Sequence, residues 1–242
     1  MTHRLRISLA AVAVGAALVL AAPIVTPAGA APNAQTLYAS SIKVAGSASV
    51  HFSSKAVESG AVLEVVGDTG VSKGSQVLVI ASDKAIESLE VILIGATGYV
   101  RGNTTALEKI LGLSAAQAKT NLDTWLSFPA SQKGLSALVG GLLNGDVAQE
   151  LNMTGPYSFG SKKKINGVHT IGINGTATTS SGATVPMELF VDTGKIPRPM
   201  EQITNPKKQA TSIQEVVMFS HWGEKNHTKA PTHSITLASL IG

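Results

Sequence analysis

Apolar and polar positions along this chain fall into three blocks with different periods. From Ala48 onwards the period is two. Ser49-Val50-His51-Phe52-Ser53 alternates, and residues 61–66, 76–80, 86–94 and 99–101 are runs rich in Val, Leu and Ile. Gly67, Asp68, Gly70, Gly74, Ser82-Asp83 and Gly95 punctuate them. Short strands bounded by turn residues predict an antiparallel meander rather than βαβ units. At Asn103 the period changes. Thr104 or Thr105 is expected to cap a helix in which Leu107, Ile110 and Leu111 share a face, and Ser114 opens a second helix over 115–123. Leu135, Leu138, Val139, Leu142, Leu143 and Val147 then form an amphipathic stripe at helical spacing. Gly140-Gly141 in its middle should bend or weaken it, by about 1 kcal/mol per Gly relative to Ala.

After Gly155-Pro156 the strand pattern returns over 157–163, 168–173, 185–191, 199–204 and 212–219. Asn166-Gly167 is a strong two-residue hairpin turn, and Asp192-Thr193-Gly194 marks another. A short helix is expected near 34–42 and one or two helical turns within 232–240. Strands, a helical block and strands again predict an α+β fold, with one continuous sheet wrapped around the helices.

The first thirty residues read as an address rather than as fold. His3, Arg4 and Arg6 precede an uncharged run from 7 to 22, and Ala28-Gly29-Ala30 supplies small residues for cleavage. The expected cut follows Ala30, which leaves one domain over 31–242. An uncleaved anchor is the alternative, although the run is shorter than the roughly twenty residues a bilayer requires.

Composition narrows the function. The 242 residues include no Cys, which excludes a disulfide scaffold, a thiolate metal site and a Cys nucleophile. Formal charge is +4, with two of the arginines inside the leader, so nothing argues for a nucleic-acid partner. Lys162-Lys163-Lys164 and Lys207-Lys208 are the basic runs. Solvated turns or a protected sheet edge explain them; transient contact with a membrane surface is the other reading.

Candidate chemistry is thin. His221, His227 and His233 with Glu224 lack helical ligand spacing, so they read as loop histidines and no metal site is expected. Two S-x-x-K matches, at Ser40 and Ser161, stand without partner motifs, and no G-x-S-x-G, phosphate loop or cofactor fingerprint occurs. Glu87 and Glu90 are the nearest strand carboxylates, but their odd spacing puts them on opposite faces. No catalytic residue and no cofactor are assigned, and the chain reads as a non-enzyme.

Val77-Leu78-Val79-Ile80 and Val91-Ile92-Leu93-Ile94 are apolar on both faces. Either these are central strands covered on both sides, or the sheet curls and one face lines a cavity. Gly98-Tyr99-Val100-Arg101-Gly102-Asn103, then Trp125-Leu126-Ser127-Phe128, resemble a segment of the actinobacterial LppX/LprAFG proteins. Leu189-Phe190-Val191-Asp192-Thr193-Gly194 with Ile196-Pro197-Arg198 is similar to that family's hairpin, and Phe219-Ser220-His221-Trp222-Gly223 with Ala230-Pro231 to its closing strand and tail. The resemblance spans roughly residues 45–240. It implies a LolA-like half-barrel: a curved antiparallel sheet closed by helices, holding lipid or glycolipid acyl chains between them. Family lipoproteins carry a Cys after the small-residue pair, whereas Ala30 follows Ala28-Gly29 here. That difference implies release into the cell envelope or medium rather than tethering.

On that reading the expected lining follows from strand phase. Glu64, Gln76 and Glu90 point outward, so Leu63, Val65, Val77, Val79, Leu89, Val91 and Leu93 point inward, joined by Val50 and Phe52. Leu107, Ile110, Leu111, Leu138 and Leu142 cover them. Two functions remain open: a lipid carrier with an apolar cavity, and a secreted structural or protein-interaction module with a filled core. Lipid class and oligomeric state are not fixed by the sequence.

Overall fold

The computed structural model describes residues 33–58, 60–178, 182–206 and 214–241. The leader, and the first two residues of the strand expected at 212–219, lie outside them. The N-terminal meander consists of β1 (His51–Glu58), β2 (Ala61–Asp68), β3 (Lys73–Ser82), β4 (Ala85–Ile94) and β5 (Thr97–Gly102). The C-terminal one consists of β7 (Thr154–Ile165), β8 (Val168–Thr178), β9 (Thr184–Asp192), β10 (Pro199–Thr204) and β11 (Gln214–Ser220). Two short strands, β6 (Leu126–Pro129) and β12 (Ile235–Thr236), complete one sheet in the order β12-β6-β5-β4-β3-β2-β1-β11-β10-β9-β8-β7. The β1–β11 pairing fuses the two meanders, with Phe52 opposite Phe219. The fold is the expected α+β half-barrel. Among the described residues no helix is long and apolar enough to cross a membrane.

Among the described residues there are six helices: α1 (Ala34–Ala45), α2 (Thr104–Lys109), α3 (Ala115–Thr120), α4 (Ser136–Val139), α5 (Asn144–Glu150) and α6 (Ala238–Ile241). The cap of α2 is Asn103, not Thr104 or Thr105. Its side-chain oxygen accepts from the Ala106 N–H at 2.9 Å and its amide donates to the Ile86 carbonyl at 2.9 Å, so one residue caps the helix and ties it to β4. Ser114 starts α3 through a capping box with Gln117.

The stripe from Leu135 to Val147 is not one helix. Gly140 is extended and Gly141 has φ +79°, which ends α4 and restarts the chain as α5. Leu138, Leu142 and Val147 are nevertheless all buried. Asn166 and Gly167 both have positive φ, as a tight primed hairpin turn requires. The turn after Asp192 is wider, closed by the Asp192 N–H on the Arg198 carbonyl. β6 and β12 have no counterpart in the expected strands, being too short to set up a period.

Register fixes the two faces of the sheet. Val65, Leu78 and Leu89 lie opposite one another across β2, β3 and β4 and face the helices. Ser53, Val66, Val77, Glu90 and Arg101 form a neighbouring row that faces solvent. On that convex side Lys55 pairs with Glu64 at 2.7 Å and Arg101 with Glu90 at 2.6 Å, the guanidinium also lying over Trp125. Such exposed pairs add little stability, but they mark the wet face.

Candidate functional site: the concave trough

The helical layer lies across the concave face, and the apolar side chains there gather into two lobes. In the first, Val50, Phe52, Val65, Leu78 and Ile80 meet Tyr38 of α1, Val147 of α5, and Ile173, Leu189 and Phe219 of the C-terminal meander. In the second, Leu89, Val91, Leu93 and Val100 meet Leu107, Leu111, Leu138 and Leu142, with Leu126 and Phe128 of β6. Ile110, at the end of α2, packs against both lobes.

Polar contacts hold four of the helices in place over this apolar floor. The Gln76 amide donates to the Leu138 carbonyl at 2.8 Å and so fixes α4 over β3. Thr69 donates to Asn144 at 3.0 Å and accepts from the Val50 N–H, seating the start of α5. Lys109 pairs with Glu87 at 2.8 Å, joining α2 to β4. Tyr38 donates to the Leu151 carbonyl and accepts from the Met153 N–H, stacks on Tyr157 at 4.8 Å, and has its pKa pushed up to about 12 mainly by burial. Buried polar groups satisfied in this way specify position more than they add free energy.

Burial falls along the trough from one end to the other. Along β1 the inward-facing Val50 and Phe52 are buried, but Ser54 and Ala56 are only half-buried. Along β2 Val65 is buried and Leu63 half-buried; along β11 Phe219 is buried, but Val217 and Glu215 are half-buried. Register places Ala56 beside both Leu63 and Glu215, so these residues form one rim. Ser54 donates to Glu215 at 2.7 Å. Glu150, at the end of α5, is reached by solvent yet crowded by protein. Burial first, and then the charges of Glu215 and Asp146, raise its pKa to about 7. Asp146 is also raised, chiefly by burial. The less buried end therefore combines apolar walls with Glu150, whose carboxyl holds its proton more tightly than a free glutamate.

Twelve of the fourteen expected lining residues face this trough: Val50, Phe52, Leu63, Val65, Leu89, Val91, Leu93, Leu107, Ile110, Leu111, Leu138 and Leu142. Val77 and Val79 do not. β3 has the opposite phase: Gln76 points inward to its helix carbonyl, Leu78 and Ile80 are buried, and Val77 is 46% exposed on the convex face. A polar residue points inward where a helix offers it a partner. Glu87 and Glu90 do lie on opposite faces, the first with Lys109 and the second with Arg101. The C-terminal contribution, including Ile173, Leu189, Val217 and Phe219, went unassigned. The alternation of Leu189 and Val191 between turn residues was the available signal.

No protein-family model and no curated protein sequence matches the chain. Among solved structures it is similar to LprF from Mycobacterium bovis, at 14% identity and a TM-score of 0.53, over 82% of this chain and 96% of that one. It also aligns with the lipoprotein LppX from Mycobacterium tuberculosis, at 17% identity and a TM-score of 0.49, over 81% and 99% of the two chains. The likeness to LprF shows a shared fold of LppX/LprAFG type.

Proposed function

We propose that this protein is a non-enzymatic carrier that holds the acyl chains of a lipid or glycolipid in the concave trough. The observation that carries the reading is the gradient of burial: apolar walls buried at Phe52 and Phe219 and half-buried at Ala56, Leu63 and Val217. Each methylene transferred from water to such walls gains about 0.8 kcal/mol, so an acyl chain has ample driving force after its ordering costs. With cleavage after Ala30 and no Cys to acylate, the carrier works unanchored in the cell envelope or outside the cell. The fold it shares with LprF, and the family resemblance of its hairpin motifs, support the same reading.

A second reading is favoured by the tight contact within each lobe, where most side chains are almost wholly buried. A filled core would make the chain an interaction module of the same fold. Two measurements separate them. Solvent extraction of purified protein followed by mass spectrometry should yield bound lipid, and a fluorescent fatty acid should bind. Leu63→Trp at the half-buried rim should block uptake while leaving the unfolding temperature nearly unchanged. No extracted lipid together with no uptake by the unmodified protein establishes the filled-core module instead.

A further inference from the structure

The lysine run 162–164 lies on β7, an edge of the sheet, where lysines discourage edge-to-edge pairing. The fold adds groups that an edge-protection role does not need. Lys164 is opposite His169 across the β7–β8 hairpin, and the Thr193 N–H and hydroxyl both donate to the His169 carbonyl at 3.1 Å. This brings the wide β9–β10 turn, with Lys195, Ile196 and Arg198, to the same corner. Lys162, Lys163, Lys164, His169, Thr170 and Thr193 line a shallow cavity of about 440 Å³ there. Lys163 is engaged, paired with Glu201 and lying 3.7 Å over the Phe190 ring. Lys162, Lys164, Lys195 and Arg198 form no ion pair among the described residues, and the carboxylates nearby are Asp192, which accepts from the Gly194 N–H, Glu201, which Lys163 holds, and Glu188, which accepts from Ser161 at 3.5 Å. Between the turn cations stands Ile196, 47% exposed.

We propose that this corner docks the protein on an anionic lipid surface, with the four free cations and His169 facing phosphate head groups and Ile196 entering the interface. Unpaired cations around an exposed aliphatic side chain at a turn tip have the chemistry of a membrane-surface contact: charge attracts and the apolar residue anchors. The corner lies at the more buried end of the strands, away from the rim at Ala56 and Glu215. Docking thus leaves the carboxylate-bearing rim away from the anionic surface. The proposal takes its biological sense from the carrier reading, but its physical content does not depend on cargo.

Flotation with vesicles tests it. The purified protein should bind vesicles of phosphatidylcholine with about one-third phosphatidylglycerol and not pure phosphatidylcholine vesicles, and binding should fall steeply with salt. The double variant Lys195→Ala/Arg198→Ala, which leaves the edge strand untouched, should lower the partition coefficient about 30-fold, at about fivefold per basic residue. Ile196→Asp should weaken binding at unchanged unfolding temperature and unchanged fatty-acid uptake. Equal binding to neutral vesicles, or full binding by the double variant, overturns the proposal. Vesicle binding with neither extracted lipid nor fatty-acid uptake overturns the carrier reading alone.

Discussion

Gln76 and Val77 are adjacent on β3, and the structure assigns them opposite consequences. Gln76 is 5% exposed and its amide donates to the Leu138 carbonyl. Gln76→Ala removes that donor and leaves a buried carbonyl unpaired, which costs about 1–3 kcal/mol. The vacated volume between β3 and α4 adds roughly 1 kcal/mol. A loss of about 2–4 kcal/mol corresponds to a fall of about 5–15 °C in unfolding temperature for a chain of this size. Val77→Ala trims a side chain that is nearly half exposed, and should cost about 0.5 kcal/mol. Thermal melts and urea titrations of both variants measure the contrast. If Val77→Ala proves the more costly, or Gln76→Ala is neutral, then β3 has the phase its polar residue suggested and α4 is not fixed as described.

Stability should fall as pH rises from about 4.5 to about 7, because Glu150 binds its proton more tightly in the folded chain than in the unfolded one; Glu150→Gln should flatten that part of a pH–melting profile, and an unchanged slope would assign it to other groups. Asn103→Ala removes both the cap of α2 and its tie to the Ile86 carbonyl, and should cost about 1–2 kcal/mol in chemical denaturation, with Asn103→Asp recovering the capping part alone.

Most of this fold could be read from the sequence because its strands are separated by residues that only turns favour. Facing could be read wherever one parity of a strand carried a charge. Glu64 and Glu90 have cationic partners on the convex side, and fixed β2 and β4 correctly. Gln76 is neutral, and an amide is satisfied as well by a helix carbonyl as by water. Val77-Leu78-Val79-Ile80 offers no other polar residue to settle the phase. The broken helix at Gly141 was half visible: the glycine pair predicts weakness, but the positive φ comes from the need to seat both α4 and α5 on a curved sheet. The rim could not be read, since Glu215 reaches Ala56 and Leu63 only through the β1–β11 pairing, about 160 residues from Ala56 in sequence.

The distribution of polar contacts suits a trough that has to part around a guest. Each of four helices is located by a directional contact with the strands or with the segment between α5 and β7: Asn103 and Lys109 for α2, the Leu138 carbonyl for α4, Asn144 for α5 and Tyr38 for α1. Between these points the contacts are apolar and non-directional. On the carrier reading, an acyl chain sliding between the lobes would replace one set of apolar neighbours with another, so the exchange would leave little apolar surface in water. The polar contacts would not have to break, and they would return the helices to one arrangement when the guest leaves. Ile110 is the residue to watch, because it alone among the helical lining residues touches both lobes. Ile110→Ala separates the readings: in a filled core it opens a cavity and destabilises the fold by about 2–5 kcal/mol, whereas in a carrier the same loss should be largely restored by added fatty acid occupying the space. A loss of stability that saturating fatty acid does not reverse would mean that the two lobes are a single packed core.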